Sequence, residues 1–303
     1  MTRYIVKRVL LAIVSVFIIC AITFFAMNAI PGGPFNSEKA LSEATKQVLE
    51  QRYNLDKPVP VQFALYLKNL MHGDFGVSLK TGRDIKDTLF SCFKVSGRLG
   101  LTAAVLAVIA GIILGSMAAL FRNGPIDRII VFFTTLFTAM PSFVFATFLM
   151  LVFCIKLQLL PVWDASSKSL ILPVIALAAY PTAYVTRLTK TSMLDSLGQD
   201  YIRTARAKGL SRSRIIFHHA LRNALNPVVT SASGWLAGLL AGAVFVEYVF
   251  DWKGMGIVIV DGLDKYDFPV VMGSILFICV LLIVINILTD ILYGLLDPRV
   301  RMQ

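Results

Sequence analysis

The chain has 303 residues, of which 57% are hydrophobic and only 16% charged, and its mean hydropathy is +0.74. A soluble domain carries about 25% charged residues, so this composition excludes an ordinary soluble protein and points to a membrane. The net charge of +11 raises nucleic acid as a partner, but the cations fall in blocks between apolar runs, which is the pattern of membrane topology instead.

The first apolar run is Val9–Ile30. Its core is too long for a cleaved signal peptide and no small-residue cleavage site follows, so it is expected to stay as a helix. Arg3, Lys7 and Arg8 precede it, and Lys/Arg next to a span mark the cytoplasmic side. Pro31 to Ser96 is then expected outside, and it is much too long for a hairpin turn. Within it, Ser37 is a candidate cap for a helix to about Tyr53, ended by Pro58. Pro60 opens a second helix, with Phe63, Tyr66, Leu67 and Leu70 on one face and Gly73 as its stop. Asp84–Val95 groups Ile85, Leu89, Cys92 and Phe93, the pattern of a helix lying at the membrane interface. Such a small subdomain suits the cap of an entrance.

Leu99 to Phe121 is 23 residues without a charge. At roughly 1.5 Å per residue it exceeds the ~30 Å hydrocarbon core. Ile129–Ile155, Leu170–Thr186, Val228–Phe250 and Val270–Ile291 complete six predicted spans, none with Lys or Arg in its middle. The charges between them keep one parity. Arg122 and Arg128 follow the second span, and Arg187 to Pro227 holds eight Lys/Arg against two Asp. Asp251 to Asp267, expected outside, holds four Asp against two Lys. Arg299 and Arg301 place the C-terminus inside with the N-terminus. The expected organisation is a helix at 1–30, an outer segment at 31–96, a five-helix block at 97–296 and a tail at 297–303.

Several chemistries are missing from this chain. It has no Walker-type GxxxxGK[ST], so ATP hydrolysis is not expected of it, and no HExxH. His218 and His219 are adjacent and face different ways on a helix, so no metal site is expected. Cys20, Cys92, Cys154 and Cys279 lie far apart and read as packing residues, not as a disulfide or zinc framework. The spans carry no chain of Asp, Glu and His for proton coupling; Glu247 and Asp290 sit near span ends. A driven transporter built this way needs a partner that supplies energy. Pro141, Pro173 and Pro181 cluster in the third and fourth spans, where kinks serve either a pathway or packing.

The densest charge is in RTARAKGLSRSRIIFHHALRN, residues 203–223, with six Lys/Arg and no acid. Asp200–Lys208 is helix-compatible, Gly209 suits a left-handed turn, and Ser211 is placed to cap a second helix to about Leu225. Ile215, Ile216, His219, Ala220, Asn223 and Ala224 form its weak face, flanked by Arg212, Arg214 and Arg222. Three readings stand: a solvated positive-inside loop, an anionic-lipid patch, or a docking element for a cytoplasmic partner.

DYIRTARAKGLSRSRIIFHHALRNALNP resembles the coupling (EAA) loop of permease subunits in binding-protein-dependent ABC importers, in the wording of the oligopeptide/dipeptide/nickel branch. Arg203, Thr204 and Ala205 stand where the wider superfamily has Glu-Ala-Ala, and Gly209 stands at its glycine. IPGGPF, PVPVQFALYLKNLMHGDFGVS, MPSF, RLTKTSMLD and LLDPRVR also fit the branch, most like its B-type subunit. VEYVFDWKGMG fits with Lys253 in place of a proline.

The resemblance implies an all-α polytopic membrane protein of the type I importer permease fold: one N-terminal helix plus a five-helix core. It implies a heterodimer with a second permease subunit, two cytoplasmic ATPases that bind ATP and Mg, and an extracytoplasmic binding protein. No cofactor is implied for this chain, and the setting is a bacterial or archaeal cytoplasmic membrane. Arg203, Thr204, Ala205, Lys208, Gly209, Ser211, Arg212 and Arg214 would couple to an ATPase. Pro141, Pro181 and Glu247 are candidates for the gate or pathway. Oligopeptide is the implied cargo, with dipeptide, nickel or metal chelate as alternatives and a standalone channel or secondary carrier as the different-class rival.

Overall fold

The computed structural model describes residues 2–29, 57–161, 169–241 and 244–296. In chain order the helices are α1 Thr2–Ala29, α2 Val59–Met71, α3 Ile85–Leu120, α4 Pro125–Ala139 and α5 Ser142–Leu149, the last extended by a π-helical stretch Met150–Lys156. There follow α6 Ile171–Leu197, α7 Asp200–Ala207, and α8 Arg212–Arg214 with a π-helical stretch Ile215–Ala220. The last are α9 Leu221–Ala241, α10 Val244–Val249, α11 Met255–Asp264 and α12 Phe268–Leu296. The predicted helix from Ser37 to Tyr53 lies outside the described residues.

By length and composition, Arg8–Ala29, Ile85–Leu120, Ile171–Leu197 and Phe268–Leu288 are each able to cross a membrane, and α4 with α5 and its π-helical extension passes the same test as a bent pair, a broken span or a re-entrant loop. The predicted fifth span, Val228–Phe250, falls across α9, α10 and residues 242–243, which lie outside the description. Large apolar side chains such as Leu10, Ile13, Ile22 and Phe132 are exposed. Hydrocarbon accommodates them as water does not.

The chain divides into two compact units, one of residues 1–95 and 253–303, the other of 96–252. In the first unit α2 packs on α1. Phe63 meets Phe24 and Phe25 at ring-centroid distances of 5.2 Å, and Tyr66 stacks on Phe24 at 5.6 Å. The predicted face of α2 is therefore real, as is its stop: Gly73 has φ +74°. Ile85 and Leu89 are buried with Met255 and Val270, and Cys92 and Phe93 pack beside them. The predicted interfacial helix Asp84–Val95 needs correcting, because it is the start of the 36-residue α3. Nothing between Ile85 and Leu120 breaks a helix, so the segment continues into the predicted second span, and its apolar face is covered by protein.

In the second unit the third predicted span is bent by 111°. Met140 is extended (φ −90°, ψ 124°) because the ring of Pro141 excludes the helical region for the residue before it. Pro141 then caps α5. Pro181 by contrast sits buried inside α6, which runs on without interruption. Ala146, Leu149, Leu172, Ala176, Val246 and Phe250 form one apolar cluster among α5, α6 and α10. Gly111 and Gly115 seat α3 against α6. A Cβ on Gly111 would lie 2.6 Å from Val185 Cβ, and one on Gly115 would lie 2.5 Å from the Thr186 carbonyl. Small residues four apart let two helix backbones approach within a membrane.

Candidate functional site

The basic segment folds as the sequence predicts locally, and its ends run further. α6 extends to Leu197, so Arg187 and Lys190 stand on a helix instead of in a loop. Past the turn, the helix that begins at Arg212 does not stop near Leu225. It continues as α9 to Ala241 with Pro227 inside it. The missing N–H of Pro227 removes one bond but does not end the helix.

Between α7 and α8 the backbone makes a helix-ending motif built on glycine. Gly209 has φ +72°, and its N–H donates to the Arg206 carbonyl at 2.9 Å. The Leu210 N–H reaches back to the Ala205 carbonyl at 3.3 Å. This pair of bonds satisfies the last carbonyls of α7 while the αL residue turns the chain. Ser211 then caps the next helix, its Oγ accepting from the Arg214 N–H at 3.4 Å.

Burial divides the predicted coupling residues into two sets. Ala205 is buried together with Ile202, Ile215, Ala220, Ala224, Met193 and Ala119, so α7, the π-helical stretch, α6 and α3 share one core. Leu194, Leu197, Leu210, Ile216 and Leu221 pack around it. Arg203, Thr204, Lys208, Gly209, Ser211, Arg212 and Arg214 are exposed. Ala205 thus serves the chain's own core, while the cations stay on the free face. Arg203 pairs with Asp200 at 3.3 Å, an exposed i,i+3 contact of little energetic weight. A groove of about 470 Å³, with Leu120, Leu197, Leu210 and Ile216 in its walls, also carries Arg206 and Arg212.

The mount of this helix pair is tied by polar contacts that the sequence reading missed. Asp127, 5% exposed, accepts from Lys190 Nζ at 2.5 Å and from the Asn123 N–H at 3.0 Å. Arg187 donates to the Thr138 hydroxyl at 2.5 Å. The acid and its partner lie 63 residues apart, beyond any local pattern. Gly111 and Gly115 did carry a signal, the GxxxG spacing inside an apolar run.

The three gate or pathway candidates lie on α5, α6 and α10, the elements of one apolar cluster. Pro141 is exposed at the break, and Pro181 is buried within α6. Glu247 is fully buried and accepts from the Ser96 hydroxyl at 2.6 Å, the kind of bond a carboxylate out of water requires.

Apolar helices of membrane-spanning length, a sharply bent apolar helix pair, and a basic helix pair that follows α6 define a helical membrane protein. Residues 111–302 match the family described as binding-protein-dependent transport system inner membrane component, and residues 1–96 match its N-terminal family. The chain is 44% identical over 305 residues to the dipeptide transport system permease protein DppB of Bacillus subtilis, covering 100% of this chain and 99% of that one. It is 40% identical to the oligopeptide transport system permease protein OppB of Haemophilus influenzae, covering 99% and 100%. With the glutathione transport system permease protein GsiC of Shigella flexneri the identity is 38%, covering 99% of both. A chain of the MetNI methionine ABC transporter, solved facing inward, shares the fold at TM-score 0.57 and 15% identity, covering 69% of this chain and 96% of that one.

The chain belongs to the inner membrane component family of binding-protein-dependent transport systems, the permease subunits of ABC importers, and its fold is the type I importer permease fold. Membership implies an ATPase and a substrate-binding protein as partners.

Proposed function

We propose that this chain is one of two non-identical permease subunits of an ATP-driven importer of peptides, with the α7–α8 pair as its contact to a cytoplasmic ATPase. The relatives named for dipeptides, oligopeptides and glutathione support peptide cargo. In this reading both termini are cytoplasmic, Arg203, Thr204, Lys208, Arg212 and Arg214 face the ATPase, and Ala205, Gly209 and Ser211 keep the pair in shape. ATP and Mg bind to the partner subunits; this chain hydrolyses nothing and carries no cofactor. Peptide passes between the two permease subunits, with Pro141, Pro181 and Glu247 on the elements that move.

One observation carries this reading. The helix pair is exposed and cationic on one side and locked on the other into a core shared with α6 and α3. A displacement imposed on such a pair reaches the spans, whereas a mobile loop would absorb it. ATP-driven closure of the ATPases then switches the spans between two discrete packings.

The test is reconstitution of the chain with its mate, its two ATPases and its binding protein in proteoliposomes. Labelled dipeptides, longer peptides and a nickel chelate are offered separately. ATP-dependent peptide uptake that requires the binding protein is the expected result. Uptake that proceeds without ATPases would overturn the importer reading, and transport of the chelate alone would overturn the cargo.

A further inference from the structure

α6 is enclosed by the chain's other helices: 67% of its most apolar stretch is buried, against 39% for α3 and 11% for α1. Packing against α3 fixes its depth. A Cβ on Gly111 would meet Val185 and the Thr182 carbonyl, and one on Gly115 would meet the Thr186 carbonyl and Thr189. Gly115 lies six residues short of Phe121, the last uncharged residue before Arg122. At roughly 1.5 Å per residue, Arg187 then sits about 9 Å inside the end of the apolar run, and Tyr180 near the middle of a ~30 Å core. Arg187 follows the predicted span Leu170–Thr186 by one residue, and only this register brings it inside.

Between Ala176 and Met193, α6 leaves one stripe exposed: Tyr180, Tyr184, Arg187 and Thr191. Spacings of four, three and four put them on a single helix face. At the same depth α3 exposes Ile109, Ile113 and Met117. The face of α3 suits hydrocarbon, whereas an exposed guanidinium at this depth is costly against lipid and belongs beside water or a partner. Arg187 donates to the Thr138 hydroxyl and has no acidic partner among the described residues. Thr138 stands in the last turn of α4, two residues before the extended Met140. At that break Pro141 and Ser142 are exposed. Non-helical backbone inside a membrane is tolerated where protein buries it or where it lines a water-filled cavity. This chain does not bury it, which leaves the mate subunit or water. A mate helix packed here would have to supply an acid to Arg187 and acceptors to the first N–H groups of α5 together. Water meets both needs at once.

We propose that Tyr180, Tyr184, Arg187 and Thr191 line the water-filled passage, and that Arg187 takes a carboxylate of the peptide in transit. The proposal rests on the peptide-importer reading and names a cargo contact within it. A guanidinium matches a carboxylate through two parallel N–H···O bonds. Every unmodified peptide carries a carboxylate at its C-terminus, so this contact selects peptides as a class without reading their sequence. The tyrosine and threonine hydroxyls donate to main-chain carbonyls along the same stripe.

Two measurements on the full importer test this. In nanodiscs, with the four native cysteines of this chain replaced, Tyr184→Cys and Thr191→Cys are exposed to a charged thiol reagent, with and without a non-hydrolysable ATP analogue. In at least one state they should react roughly ten-fold or more faster than Met117→Cys, because the reactive thiolate needs water. Equal rates in both states overturn the proposal, as does a Tyr184→Cys that stays unreactive and cross-links to the mate subunit. In proteoliposomes, Arg187→Gln should lower uptake of a peptide with a free C-terminus roughly ten-fold, the loss of one charge-assisted contact. Uptake of the same peptide amidated at its C-terminus should stay close to wild type, which shows that the variant is folded. Taking each peptide relative to wild type cancels any preference of the binding protein. Arg187→Lys keeps the charge without the fork and should fall between. A third peptide, amidated and with one internal Glu, separates the two sources of carboxylate: a loss on it assigns side-chain carboxylates to the contact, and no loss assigns the C-terminus alone. Equal losses on free and amidated peptides, or no loss on either, overturn the proposal. If wild type takes up neither form with ATP and loaded binding protein, it is the peptide-importer reading that fails.

Discussion

Gly209 is the residue whose role is most completely encoded locally. A Cβ built there meets nothing within 4 Å, yet its φ of +72° penalises L side chains. Any substitution is therefore judged by dihedral preference alone, since no neighbour resists it. Asn tolerates the αL region, whereas a β-branched residue pays about 1–2 kcal/mol. Gly209→Asn should keep near-normal uptake and ATPase recruitment, while Gly209→Val should lower both; co-purification of the ATPase measures the second. Equal behaviour of the two variants would remove the turn from the mechanism. Gly209 and Ser211 were legible in the sequence because a turn glycine and a capping serine act on their own backbone. The direction of Ala205 was not, because which face of a short helix is covered depends on Met193 and Ala119, which lie elsewhere in the chain.

At the scale of elements, the spans were legible wherever composition alone defines them, and their breaks and joins were less so. Pro141 breaks its span because Met140 is forced extended; Pro181 and Pro227 sit within continuous helices. The residue type is the same, and only the surrounding packing separates the outcomes. The junction of α3 escaped notice because charged residues at Lys86, Asp87, Lys94 and Arg98 resemble an interfacial helix, and no breaker follows them. Packing of α3 on α6 gives the clearest prediction at this scale. Gly115→Leu would drive a side chain into the Thr186 carbonyl and Thr189, which a Cβ alone would already meet at 2.5 and 2.6 Å. The expected cost is about 1–3 kcal/mol, read as a fall in detergent-stable, folded permease. Gly238→Leu, where a Cβ meets nothing within 4 Å, should cost far less. Similar melting temperatures for the two would show that the close approach is not needed.

Across the whole molecule, the property that the proposed coupling requires is a packed connection between the cationic face and the spans. Ile202, Ala205 and Ile215 join α7 and the stretch after α8 to Met193 of α6, and Asp127 with Lys190 ties α6 to α4. Recruiting an ATPase and transmitting its movement are then separable. In the proposed reading recruitment depends on the exposed face, so Arg212→Glu/Arg214→Glu should weaken ATPase co-purification in a salt-dependent way. Transmission, in the same reading, depends on the turn keeping its geometry. Inserting two glycines between Gly209 and Leu210 would break the Leu210 to Ala205 bond without touching any exposed arginine. The insertion should leave recruitment close to wild type, preserve ATP hydrolysis by the assembled complex, and cut peptide uptake per ATP roughly ten-fold or more, since a chain free to flex dissipates the displacement that a packed one carries. Uptake per ATP in proteoliposomes is the measurement. If that ratio is unchanged, the pair is a tether and not a lever, and the force must enter the spans through another contact.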